Sequence, residues 1–303
     1  MMEEPKIKTN SARAWLLAAR PKTLSGAAVP VMIGVAIALS DCQYYDDGVF
    51  NPMAALLCLL FAWIMQIDAN LVNDFFDFLR GADATETRLG PRRACAQGWV
   101  TLDAMKRAIA LTTCAACVVG LPLVFYGGLE MLFVGVACVV GCFIYTTHLS
   151  YLGLGDLLVL LFFGVVPVCC CYYIQLHTLT ATVVVASVAC GLVVDTLLLV
   201  NNFRDRDNDR DAGKITLVVR MGETASLWMY LAVGVAACAM GTVLWADGHF
   251  LAFVLPMIYL ILHYYTYLKI KRINRGKALN LCLGETARNI FIYGLTVAVG
   301  ILL

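Results

Sequence analysis

Leu192-Val193-Val194-Asp195-Thr196-Leu197-Leu198-Leu199-Val200-Asn201-Asn202-Phe203-Arg204-Asp205-Arg206-Asp207-Asn208-Asp209-Arg210-Asp211 runs unbroken from residues that suit hydrocarbon to residues that suit water. The apolar part reaches back to 179, about the 20 residues that a helix needs to cross a bilayer. A second stretch ends the same way: Asn73-Asp74-Phe75-Phe76-Asp77-Phe78-Leu79-Arg80-Gly81-Ala82-Asp83 closes the apolar run 52–78. Carboxylates are costly beside lipid, so acids placed there mark a site with a definite partner. Paired acidic clusters suit Mg²⁺, a hard cation that takes oxygen ligands and bridges carboxylates to phosphate oxygens. Diphosphate chemistry at a membrane surface is the expectation.

The whole chain agrees with the membrane reading. Of its 303 residues 61% are hydrophobic and 14% charged, far from the balance of a water-soluble domain. Apolar runs fall at 24–40, 52–78, 105–126, 129–146, 156–175, 179–203, 224–246, 249–270 and 289–303. The count is nine spans, or eight if the last is only half inserted. No strand-like alternation is seen, so an all-α integral membrane protein is expected: a nine-transmembrane-helix bundle, one domain over 1–303 with a short tail at 1–23. Thirteen cysteines sit mostly inside the apolar runs, where free thiols behave as small hydrophobes. Net charge is +1, which alone argues neither for nor against nucleic acid, and no nucleic-acid partner is expected. The partner is the lipid bilayer.

Cations set the orientation. All 22 Lys and Arg residues fall in the tail, in the loops near 79–107 and 204–223, or near 269–288, while the opposite loops carry only acids. By the positive-inside rule the N-terminus and both acidic clusters face the cytoplasm, and nine spans leave the C-terminus outside. A multi-pass protein of the cytoplasmic (inner) membrane is expected.

Within 52–78, positions 66, 70, 73, 74, 77 and 81 share roughly a quarter of the helix circumference. Asp74 and Asp77, three apart, lie one turn from each other on that face, with Asn70 and Asn73 deeper. In the second cluster Asp205 and Asp209 share a face with Asn202 a turn earlier. Asp207 and Asp211 lie on another face and are expected to pair with Arg206 and Arg210 at the solvent side. Lys214 follows, placed to neutralise a departing diphosphate. Asp68 and Asp195 lie apart from the clusters; a structural role is favoured for Asp195, against contact with an aromatic hydroxyl. His148 is expected in a loop.

These motifs arrive in a familiar order. Asn73-Asp-x-x-Asp77-x-x-x-Gly81-x-Asp83, Gly90-Pro91-x-Arg93, Tyr145-Thr146, Gly153-Leu154-Gly155-Asp156, and Asn201-Asn202-x-Arg204-Asp205-x-x-x-Asp209-x-x-x-Gly213-Lys214-x-Thr216-Leu217 resemble the UbiA superfamily of intramembrane aromatic prenyltransferases. Within it they look most like the MenA branch, the 1,4-dihydroxy-2-naphthoate polyprenyltransferases, as does Ala19-Arg20-Pro21-Lys22-Thr23-Leu24. The resemblance implies a central cavity opening to the cytoplasm and Mg²⁺ between two facing Asp motifs. It implies a polyprenyl diphosphate and 1,4-dihydroxy-2-naphthoate as substrates, with diphosphate, carbon dioxide and demethylmenaquinol as products. By motif position Asp74, Asp77, Asp83, Asp205 and Asp209 hold metal. Asn70, Asn73, Asn201, Asn202, Arg204 and Lys214 face diphosphate, and Tyr145 falls on a motif tyrosine. Many relatives carry Lys four residues after that tyrosine; Leu149 stands here, leaving Lys214 or Lys22 for its task. Arg20, Arg88, Arg92 and Arg93 are candidates to hold the acceptor's carboxylate or lipid headgroups, with Arg93 favoured for the site. The rival readings are a related enzyme for 4-hydroxybenzoate or haem, a cation transporter and a CDP-alcohol phosphotransferase. A transporter would want acids at mid-membrane or on both sides.

Overall fold

A computed structural model of the chain describes residues 7–44, 49–81, 88–149 and 152–303. Every regular element among them is helical. After a short helix, Ala12–Ala19, come α1 (Leu24–Tyr44), α2 (Pro52–Leu79), α3 (Leu102–Gly127), α4 (Glu130–Ile144) and α5 (Gly155–Leu176). There follow α6 (Ala181–Asp211), α7 (Glu223–Ala246), α8 (Phe250–Ile273) and α9 (Leu279–Leu302). Helix starts are written locally. Asn51, Thr101 and Thr180 each precede an apolar run and accept a hydrogen bond from an amide of the first turn, and Pro52 pre-sets the first residue of α2.

Seven helices among the described residues are long and apolar enough to cross a membrane. Two of the nine expected spans fall short of that measure for visible reasons. α4 has only 15 residues, because the backbone winds into a π turn over Tyr145–Leu149. α9 has 24 residues but carries Glu285 and Arg288 near its start.

α6 is the axis of the bundle. It packs against α1, α5, α7 and α9, and 67% of its apolar window is buried, against 17% for α3. Close crossing of α5 and α6 depends on glycine: a Cβ on Gly164 would lie 2.5 Å from the Gly191 Cα. Here too α5 widens into a π turn, Leu161–Val165. The perimeter is apolar, with Phe125 90% and Leu111 71% exposed, which suits lipid and would be an aggregation surface in water.

Polar ties secure the layers. Away from the acidic clusters, the Tyr172 hydroxyl donates to Asp41 at 2.7 Å, and the Gln175 amide donates to the Asn51 carbonyl at 3.0 Å. Asp68, fully buried, accepts from the hydroxyls of Thr112 and Thr113 on α3 and thereby joins α2 to α3.

Candidate active site

The last two turns of α2 present four polar residues, each with a definite partner. Asn70 donates to the Ala19 carbonyl at 3.0 Å and to the Thr23 hydroxyl at 2.9 Å. It therefore fixes the turn in which Arg20 takes a left-handed conformation (φ 51°) and carries Lys22 to the exposed rim. Asn73 accepts from the Thr146 hydroxyl, and Arg80 donates to the Thr146 carbonyl at 3.0 Å, which holds Tyr145 at the end of α4. Asp74 is 1% exposed and accepts from the backbone amides of Ala94 and Cys95, at 2.8 and 3.0 Å. Asp77 pairs with Arg93 at 3.0 Å and is more open, 24% exposed. Asp74, expected among the metal ligands, thus has both oxygens taken by loop amides, whereas Asp77 on the same helical face is the more open of the two.

On α6, Arg204 is buried and forms the hub. It donates to both oxygens of Asp205 and, at 2.8 Å each, to the side-chain oxygens of Asn201 and Asn280. Asn202 is buried one turn above Asp205. Asp209 receives the Lys214 ammonium at 3.5 Å on one oxygen, and the Lys214 amide donates to the Asp209 carbonyl at 2.8 Å. The other Asp209 oxygen is buried without a hydrogen-bond partner among the described residues. Asp207 pairs with Arg210 at 3.6 Å on the solvent side, as expected. Arg206 does not join it. Its guanidinium turns inward to Glu223 at 3.0 Å and to both oxygens of Asn274, because a buried arginine needs all its donors satisfied. That expected pairing is corrected.

The segment 88–95 joins the two clusters. On one side it is held by Asp74 and Asp77; on the other, Asn280 donates to the Leu89 carbonyl at 2.8 Å. Gly90 lies against the Arg204 guanidinium so closely that a Cβ would sit 2.7 Å from it. Asp77 is within electrostatic reach of Lys214, Arg88, Arg20 and Arg80, so cations from three separate parts of the chain surround it. Tyr145 in turn interacts electrostatically with Asp77, Asp156 and Asp195. Asp83 lies outside the described residues. Among the described residues no three His, Cys, Asp or Glu side chains converge as a ready-made metal cage. Asn280 and the anchoring role of Asp74 carry no signal in the sequence, since both depend on how the loop 88–95 folds back, whereas Thr146 lies in the Tyr145-Thr146 motif.

A family model described as the UbiA prenyltransferase family matches residues 27–294. The chain is 39% identical over 223 residues to the 1,4-dihydroxy-2-naphthoate octaprenyltransferase of Escherichia coli (strain K12), covering 70% of this chain and 69% of that one. It is 28% identical over 304 residues to the human (Homo sapiens) UbiA prenyltransferase domain-containing protein 1, covering 96% and 83%. Among solved structures, a UbiA homologue from Aeropyrum pernix K1 superposes with a TM-score of 0.66 at 16% identity, over 93% of this chain and 98% of that one. A UbiA homologue from Archaeoglobus fulgidus bound to GPP and Mg²⁺ gives 0.64 at 13% identity, over 94% and 99%.

Proposed function

The chain belongs to the UbiA prenyltransferase family, and from that premise we propose that it joins a polyprenyl group from an all-trans polyprenyl diphosphate to 1,4-dihydroxy-2-naphthoate. Diphosphate and carbon dioxide leave, and demethylmenaquinol is formed. Relatives at 39, 33 and 31% identity bear the name 1,4-dihydroxy-2-naphthoate octaprenyltransferase, which supports the acceptor. One observation carries the reading: the segment 88–95, clasped by Asp74 and Asp77 on one side and by Arg204 and Asn280 on the other, makes one site of two distant motifs.

The donor set fits Mg²⁺. Asp77, Asp205 and Asp209 offer hard oxygens, Asp83 belongs to the same motif in the sequence, and Asp209 keeps one oxygen without a partner among the described residues. Mg²⁺ ordinarily binds through one or two carboxylates together with substrate phosphates, so a cage of three acids is not required. When bound, the ion supplies charge neutralisation that makes diphosphate a better leaving group. Lys214, Arg93, Arg20 and Lys22 add positive charge where the leaving anion gathers it. Asn201 and Asn202 line the same face, while Asn70, Asn73 and Asp74 hold the walls in place. An apolar cavity open to the cytoplasm would shelter the allylic carbocation from water. We assign α4 and α9 as the two further spans that bring seven to nine, with the N-terminus and the site on the cytoplasmic side of the inner membrane.

The test uses the full chain reconstituted in liposomes with an all-trans polyprenyl diphosphate. With 1,4-dihydroxy-2-naphthoate the reading expects Mg²⁺-dependent release of diphosphate and carbon dioxide in equal amounts. Prenylation of 4-hydroxybenzoate without carbon dioxide, and no turnover of the naphthoate, would overturn it.

A further inference from the structure

Two carboxyl groups, one at a helix start and one deep in the bundle, lie outside the two acidic clusters. Asp156 stands in the first turn of α5, and Asp195 lies midway along α6, only 4% exposed. Gly155 lets the two helices meet at this level: a Cβ there would lie 3.3 Å from Leu198 of α6 and 3.8 Å from the Tyr145 ring. Asp156 and Asp195 come within electrostatic reach of each other, and Tyr145 senses both. Each has an Oδ1 atom sealed from solvent with no hydrogen-bond partner among the described residues. Asp68 is a useful contrast, since a carboxyl with a structural task has its threonine donors in place. An unsatisfied buried acceptor is costly, and it persists where something outside the chain brings the donor.

Position says what that donor belongs to. Asp195 precedes Asn202 by seven residues and Asp209 by fourteen, so all three lie on one line along α6. It sits ten residues before Asp205, about 15 Å deeper along the axis. An aromatic acceptor lying below the diphosphate along this line would meet Asp195 with its lower edge. Its carboxylate would be drawn to the rim cations, leaving a hydroxyl to point downwards.

We propose that Asp195 and Asp156 form the floor of the aromatic acceptor's subsite, where they accept a hydrogen bond from the ring hydroxyl remote from its carboxylate. This orients the ring, and so selects the carbon that faces the allylic diphosphate. Asp195 and Asp156 are positioning residues here. The inference rests on the prenyl-transfer reading given above.

The test compares binding of 1,4-dihydroxy-2-naphthoate and of 1-hydroxy-2-naphthoate, which lacks the remote hydroxyl, to the purified full chain. Wild type is expected to favour the dihydroxy compound about fivefold to a hundredfold, the range for leaving a buried acceptor without its donor. Asp195→Asn should narrow that ratio, and Asp195→Leu and Asp156→Asn should bring it to within a few fold. Affinity for the polyprenyl diphosphate should stay as in wild type. An unchanged ratio, or an equal loss of affinity for both substrates, would overturn the subsite. Asp156→Asn, at a half-buried helix start, keeps the test open should the Asp195 variants fail to fold. Wild-type binding without turnover would count against the prenyl-transfer reading instead, leaving the ratio to judge the subsite.

Discussion

Asp74 and Asp77 stand one helical turn apart on the same face, yet their oxygens serve different partners. Asp74 holds two loop amides, and Asp77 meets Arg93 at the open side. Their shared face could be read from a spacing of three. Their division of labour could not, because it is set by the return of residues 88–95, a loop without periodicity. The same limit applies to Arg206 and Arg210, neighbours in one charge run, of which only Arg206 finds a buried cradle. The two acids should therefore fail differently on substitution. Asp74→Asn leaves one loop amide facing another donor, and should lower stability by about 1–3 kcal/mol with little change in the Mg²⁺ needed for half-maximal activity. Asp77→Asn should raise that Mg²⁺ requirement and leave the unfolding midpoint near wild type. Thermal unfolding in detergent, paired with a Mg²⁺ titration of diphosphate release, distinguishes the two, and the reverse pattern would refute the assignment.

At the level of the helices, apolar length was legible and its interruptions were not. The runs at 52–78, 156–175 and 179–203 correspond to α2, α5 and α6, whose starts are marked by Asn51, by Gly155 and by Thr180. The π turns at Tyr145–Leu149 and Leu161–Val165 have no local signature; the first lies at the site end of the bundle and the second where α5 crosses α6 at Gly191. α4 and α9 are the elements on which the span count turns. If both cross, the C-terminus lies opposite the acidic clusters. A C-terminal alkaline phosphatase fusion should then be active and a C-terminal green fluorescent protein fusion dark. A fluorescent C-terminus would mean an even number of spans.

For the whole molecule, charge placement and site placement are the same fact. In the sequence the chain's 22 cations share the tail and loops that hold both acidic clusters, and the perimeter of the described residues is apolar. Such a partition would suit chemistry that must stabilise an anion and protect a carbocation at once. A cation path through the membrane would spread its acids from face to face, whereas the deep acids among the described residues are Asp68, bound to threonines, and Asp195, within electrostatic reach of Asp156. That both clusters form one diphosphate site is the claim on which all else rests. It is tested most directly by a double-mutant cycle on Mg²⁺-dependent binding of a polyprenyl diphosphate, using Asp77→Asn, Asp209→Asn and the pair. Residues gripping one ligand should be coupled, the double variant losing about tenfold less affinity than the two single losses multiplied together. Strictly multiplicative losses, as for sites that act apart, would contradict the account.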